Sequence, residues 1–108
     1  MKVEKTFGET IKEIRQGEGL TLKEVANKLK IDTSLLSKIE KNQRRPSKQF
    51  IKNFSDIFNL SERELTIAFL SDRIVYSIQE EEVAQEALKV AESKMNYLKN
   101  HKNDTQCN

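Results

Sequence analysis

Residues 20–42 read LTLKEVANKLKIDTSLLSKIEKN, and two helix starts lie within this one stretch. Thr21 is a capping residue, and Glu24 stands three places later, where a carboxylate reaches back to the cap's amide. Leu20 and Val25 flank the cap at staple positions. The helix that follows buries Leu22 or Val25, together with Ala26 and Leu29. It must be short, because Asp32 offers a second N-cap, with Ile31 before it and Leu36 after it at the same staple spacing. The next helix then runs from about Thr33 to about Lys41. On a wheel advancing roughly 100° per residue, Leu36, Ile39 and Leu35 share one arc, and Ser34, Ser37, Lys38 and Lys41 share the opposite one. The inner face is apolar. The outer face carries small hydroxyls and lysines, with no carboxylate.

Outward from this stretch the apolar spacing stays helical. Phe7, Ile11 and Ile14 mark one face of a helix that ends near Gly17 and Gly19. After the basic loop Asn42-Gln43-Arg44-Arg45-Pro46, Ser47 caps a helix with the stripe Phe50, Ile51, Phe54, Ile57 and Phe58. Leu60-Ser61-Glu62-Arg63-Glu64-Leu65 repeats the box-and-staple device and opens a fifth helix toward Gln79. Glu80, Glu81 and Glu82 suit the first turn of a sixth. Within that helix Ala84, Leu88, Ala91, Met95 and Leu98 are spaced as a coiled-coil seam. Residues 103–108 are polar and aperiodic. No strand pattern or internal repeat is visible, and three Gly with one Pro are too few for a turn-rich sandwich or barrel.

Charge divides the chain. Residues 1–60 hold 13 basic and 8 acidic groups, whereas residues 61–108 hold 6 and 9. A basic front half suits contact with an anionic polymer, and an acidic back half stands off from it. With no run of about 18 apolar residues and no apolar leader, neither a membrane span nor a secretory signal is expected. A single cysteine, Cys107, and a single histidine, His101, form no disulfide, metal site or nucleophile–base set. A cytoplasmic protein without catalytic residues, cofactor, metal or small-molecule ligand is expected.

Two short helices on a turn of about three residues, followed by basic side chains, form a helix-turn-helix arrangement. Its outer face has the size and chemistry to enter a DNA major groove: hydroxyls exchange hydrogen bonds with base edges, and lysine bonds guanine acceptors. The stretch from Leu20 to Asn42 resembles the helix-turn-helix of the XRE family, the phage-repressor and Cro-like regulators. The likeness extends from about Phe7 to about Thr66. Ala26 stands where the two helices touch, and Val25, Leu29, Ile31, Leu36 and Ile39 match core positions. Pro46-Ser47, Phe50, Ile51, Phe54, Leu60-Ser61 and Leu65 also fit. Lys30 departs from the family's glycine in the interhelical turn. Leu22 departs from a glutamine that braces a phosphate contact, which leaves that task to Thr21 or to the amides of the helix's first turn.

The resemblance implies an all-α fold, a five-helix repressor-like DNA-binding domain with a C-terminal helical extension. Residues 1–66 would be the DNA-binding domain, 67–102 a dimerisation extension and 103–108 a flexible tail. It implies base reading by Thr33, Ser34, Ser37 and Lys38, and phosphate binding by Thr21, Lys41, Asn42, Gln43, Arg44 and Arg45. Arg15 and Glu40 match a structural ion pair. The seam Ala84, Leu88, Ala91, Met95 and Leu98 would form the interface of a homodimer that binds double-stranded operator DNA, the alternative being a helical hairpin packed only on its own domain. The expected function is sequence-specific transcriptional regulation, with restriction–modification controllers and mobile-element regulators both compatible. The alternatives are a DNA-binding antitoxin whose acidic C-terminal half binds a toxin, and a protein-interaction module that reuses the fold without DNA.

Overall fold

The computed structural model describes residues 5–101, and these are all-α. The helices are α1 (Phe7–Gly17), α2 (Leu22–Leu29), α3 (Thr33–Glu40), α4 (Lys48–Phe58), α5 (Glu62–Ile78) and α6 (Ala84–Asn100). The expected tail, residues 103–108 with Cys107, lies outside the described residues.

Each of the first four helices starts on a polar residue with extended backbone, as a helix that must satisfy its first amides requires. Thr6 and Thr21 form complete capping boxes with Glu9 and Glu24. In both boxes the hydrogen bonds to the threonine hold the glutamate carboxyl below its usual pKa. Ser47 accepts from the Phe50 amide at 3.0 Å. Asp32 differs from its sequence expectation. Its backbone has the extended geometry of an N-cap and its carbonyl accepts from Leu35 and Leu36, but its side chain makes no capping bond.

These four helices also end alike. Gly19, Lys30, Asn42 and Asn59 take positive φ of 70°, 59°, 60° and 53°. In each case the next amide reaches back five residues, Leu20 to Arg15, Ile31 to Ala26, Gln43 to Lys38 and Leu60 to Ser55, which is the Schellman closure. Lys30 therefore does adopt the left-handed turn for which glycine is the unstrained residue.

The core of the helix-turn-helix is where the stripes converge. Ile11, Val25, Ala26, Leu36 and Phe54 are fully buried, and Phe7, Leu29, Ile39, Phe50, Ile51, Leu65 and Phe69 nearly so. Burying one such large side chain stabilises by roughly 1.5–3 kcal/mol. Val25 rather than Leu22 takes the inner place on α2, with Leu22 half-buried at the margin. Ile57, counted in the α4 stripe, lies exposed. α3 packs on α1 and α2, and α2 on α4.

The chain divides into two compact units, Met1–Ile74 and Val75–Asn108. Within the first unit α5 holds α1 through residues beyond Thr66. Phe69 meets Phe7 edge-on at 5.7 Å, and Asp72 accepts from the Phe7 amide at 2.7 Å. In the second unit, α6 has no buried residue. The Glu80–Glu82 run does not form its first turn. It lies in the bend before α6, where the Glu81 amide bonds the Ile78 carbonyl and the Ala84 amide the Glu81 carbonyl. Carboxylates suit the approach to the amino end of α6, whereas their nearness to the carboxyl end of α5 is unfavourable.

Candidate nucleic-acid interface

Eight residues make α3 just over two turns, about 12 Å long. Its inner side is fixed by Leu36, Ile39 and Glu40, all buried. Thr33, Ser34 and Lys38 are exposed, and Ser37 is half-buried at the edge of that face. The four expected base-reading positions are thus on one helix, three of them fully open.

Glu40 is buried because Arg15 meets it. Arg15 Nε donates to Glu40 Oε2 at 2.7 Å and Nη2 to Oε1 at 3.0 Å, a fork on a carboxylate. Nη1 donates to the Leu20 carbonyl at 2.8 Å. The two residues are 8% and 6% exposed, so the pair belongs to the interior and ties α1 to α3 and to the entry of α2.

The basic positions surround α3. Lys41, Gln43, Arg44, Arg45 and Lys48 are exposed, and the two arginines make no hydrogen bond or ion pair among the described residues. Thr21, at the start of α2, accepts from the Glu24 amide at 3.1 Å, which leaves its hydroxyl hydrogen available to an oxygen acceptor. Arg44 and Arg45 also border a cleft of about 210 Å³ floored by Leu29, Leu35, Ile39 and Phe50.

Asn42 is different from its neighbours. Its side-chain oxygen accepts from the Gly8 amide at 3.1 Å, and its Nδ2 donates to Thr6 Oγ1 at 2.9 Å. Gly8 has to be glycine for this approach: a Cβ there would lie 2.5 Å from the Glu40 carbonyl and 2.6 Å from that of Ile39. Sequence reasoning missed this junction, though asparagine after a helix is itself a sign of left-handed closure.

On α6, Ala84 is half-buried and Leu88, Ala91, Met95 and Leu98 are exposed, with Met95 69% open. A second apolar line went unread in the sequence. Val83, Val90 and Tyr97 recur every seven residues, roughly 120° round from the seam, and are also exposed. Tyr97 stacks on His101 at 4.2 Å. Among the described residues no group of His, Cys, Asp and Glu could hold a metal ion, and no helix is long and apolar enough to cross a membrane.

The family model described as helix-turn-helix, HTH_3, matches residues 11–65, which span α2, α3, α4 and most of α1. A chain of the solved SinR protein/SinI protein complex has a similar fold, with a TM-score of 0.52 and 25% identity over 88% of this chain and 99% of that one. No curated protein matches the sequence. An α3 set by a buried ion pair, its polar face outward and its margins basic, agrees with both likenesses: the chain belongs to the XRE-type helix-turn-helix family of DNA-binding transcriptional regulators.

Proposed function

We propose that the protein is a cytoplasmic, sequence-specific regulator that binds operator DNA as a homodimer. The observation that carries the reading is the exposed face of α3, with Thr33, Ser34 and Lys38 open beside the exposed Arg44 and Arg45. Thr33, Ser34, Ser37 and Lys38 read base edges in the major groove. Thr21, Lys41, Gln43, Arg44 and Arg45 hold phosphates, and Asn42 serves the same surface. The seam of Ala84, Leu88, Ala91, Met95 and Leu98 joins two copies, because one α3 spans only a few base pairs and a lone domain would select poorly. Control of a restriction–modification operon or of a mobile element would suit a regulator of this size.

A second reading gives α6 to a different protein, as an antitoxin would. What favours it is that the structurally similar chain stands in a complex named for two proteins, and that α6 carries a second apolar line besides the seam.

Selection of random duplexes on the purified protein tests the main reading. It should return an inverted repeat with half-site centres about 34–36 Å apart, or a multiple of that. Lys38→Ala should relax one base position at a cost of roughly 1–3 kcal/mol, whereas Arg44→Ala should weaken all sequences alike and lower the salt slope by about one unit. No enrichment would remove the DNA-binding function. Enrichment of single half-sites only would remove the homodimer.

A further inference from the structure

The loop that leaves α3 has to place Arg44 and Arg45, yet little in the loop itself is fixed. The Gln43 amide closes α3 on the Lys38 carbonyl at 2.8 Å, and the next anchoring bond is the Ser47 cap of α4. The direction in which the chain leaves is therefore set at Asn42, whose φ is 60°. Asparagine adopts that conformation more readily than most residues, but backbone demand alone would be met as well by glycine.

The side chain does something glycine could not. Both of its polar atoms are bonded to the first turn of α1, the oxygen to Gly8 and the nitrogen to Thr6. That turn is itself held firmly. Its successive amides, of Phe7, Gly8 and Glu9, are taken by Asp72 of α5, by Asn42 and by the Thr6 cap, three acceptors from three separate places in the chain. The missing Cβ of Gly8 allows the turn to sit directly on the Ile39 and Glu40 carbonyls.

The geometry points to Asn42 as a positioning residue for phosphate binding: its amide locks the loop after α3 to the amino end of α1, so that Arg44 and Arg45 are presented from a fixed start. This rests on the reading of the two arginines as phosphate contacts. Asn42 then acts through the loop rather than as a phosphate ligand in its own right.

Two variants separate those roles. Asn42→Gly keeps the left-handed backbone and removes the amide. Thr6→Gly removes the hydroxyl that Asn42 bonds, at a residue outside the proposed DNA surface, and glycine is tolerated at an N-cap. Thr6→Ser restores the hydroxyl. Hydrogen exchange of the Gly8 and Gln43 amides in the free full-length protein reads the tether. Titration with the duplex selected for the wild type, at several salt concentrations, reads the function.

Asn42→Gly should stay folded, exchange its Gly8 amide faster, and lose about tenfold in affinity for every sequence alike, with a shallower salt dependence. Thr6→Gly should lose affinity in the same way, and Thr6→Ser should bind as the wild type does. Wild-type affinity in Asn42→Gly, despite faster Gly8 exchange, would overturn the positioning role. So would a loss in Asn42→Gly that Thr6→Gly does not share, since Asn42 would then touch phosphate directly. A wild type that binds no duplex overturns the functional reading itself, and this inference with it.

Discussion

The unit that carries α3 and the helix that ends the described chain are built on opposite terms. The first buries twelve apolar side chains, closes four helices with the same left-handed turn and hides an arginine–glutamate pair among them. α6 is as long as α5 but buries nothing, starts at Val83 without a side-chain cap, and ends at His101 with φ of −110°. A solitary helix of this length is marginal in water, because its hydrogen bonds barely offset the order they demand. The contrast teaches that the first unit covers its own apolar stripes, while α6 leaves its apolar side chains exposed.

The largest effect should come from the hidden pair. Glu40→Ala strands the Arg15 guanidinium in the interior with one remaining acceptor, the Leu20 carbonyl. Removing one partner of a buried pair costs about 3–5 kcal/mol, whereas an exposed pair is worth about 0–1 kcal/mol. Urea unfolding followed by circular dichroism should show the midpoint fall sharply. A shift of less than about 1 kcal/mol would mean that the interior of this unit tolerates an unpaired charge, and the contrast with α6 would weaken.

The reverse experiment breaks the other side. Leu88→Asp with Met95→Asp places two charges on the exposed seam of α6, far in sequence from the core of the first unit. The unfolding of that unit should be unchanged. Sedimentation at micromolar concentration should change from dimer to monomer, and operator affinity should fall about 100-fold as the second half-site becomes an independent event. A wild type that sediments as a monomer, or a double variant that still dimerises, would remove this interface.

Much of the first unit was legible because its instructions are local. Thr21 with Glu24, Ser47 before Phe50, and the stripe of Phe50, Ile51 and Phe54 each act within one helical turn or two. The Thr6–Glu9 box was equally local and could have been read from the same spacing. Asp32 shows the limit of such reading: the residue type suits a cap and the backbone takes the cap's geometry, yet the side chain makes no capping bond. Asn42 and Asp72 were illegible for another reason. They bond residues 34 and 65 positions away, and no periodicity carries a contact of that range. For the interface, the helix and its outward face followed from the α3 pattern, whereas Asn42's inward bonds, which set it apart from Arg44 and Arg45, needed the fold. On α6 the seam was visible as spacing, but spacing cannot say that the face would be uncovered.

A smaller effect sharpens the comparison at the helix ends. Lys30 holds a left-handed conformation that costs a residue with a Cβ roughly 1–2 kcal/mol relative to glycine. Glycine's extra freedom in the unfolded chain returns part of that gain. Lys30→Gly should therefore raise stability by about 0.5–1 kcal/mol, seen as a higher urea midpoint with an unchanged slope. The same substitution at His101, which has no positive φ, should give no gain. A destabilised Lys30→Gly would show that the lysine side chain contributes more than its backbone strain takes away.

The smallest effect separates the helix starts by pH. Glu9 and Glu24 each accept the amide of the threonine that caps their helix, at 3.0 and 2.9 Å, and both carboxyls are held below their usual pKa by those bonds. A depressed folded-state pKa means that the carboxylate form is favoured by folding. The contribution is complete above the ordinary carboxylate pKa and disappears as pH falls through the lower, folded one. Acidification through that window should loosen the first turns of α1 and α2, with the Thr6 and Thr21 amides losing protection against hydrogen exchange once the intrinsic pH dependence of exchange is divided out. α6 has no side-chain cap of this kind to lose, so the protection of its first-turn amides should not follow the titration of a box. Equal loss of protection at Thr6, Thr21 and the first turn of α6 would show that acid acts on the whole chain at once and not through the two boxes. Glu24→Gln supplies the control, because an uncharged acceptor keeps the bond to Thr21 and should flatten the pH response at α2 while leaving that at α1 in place.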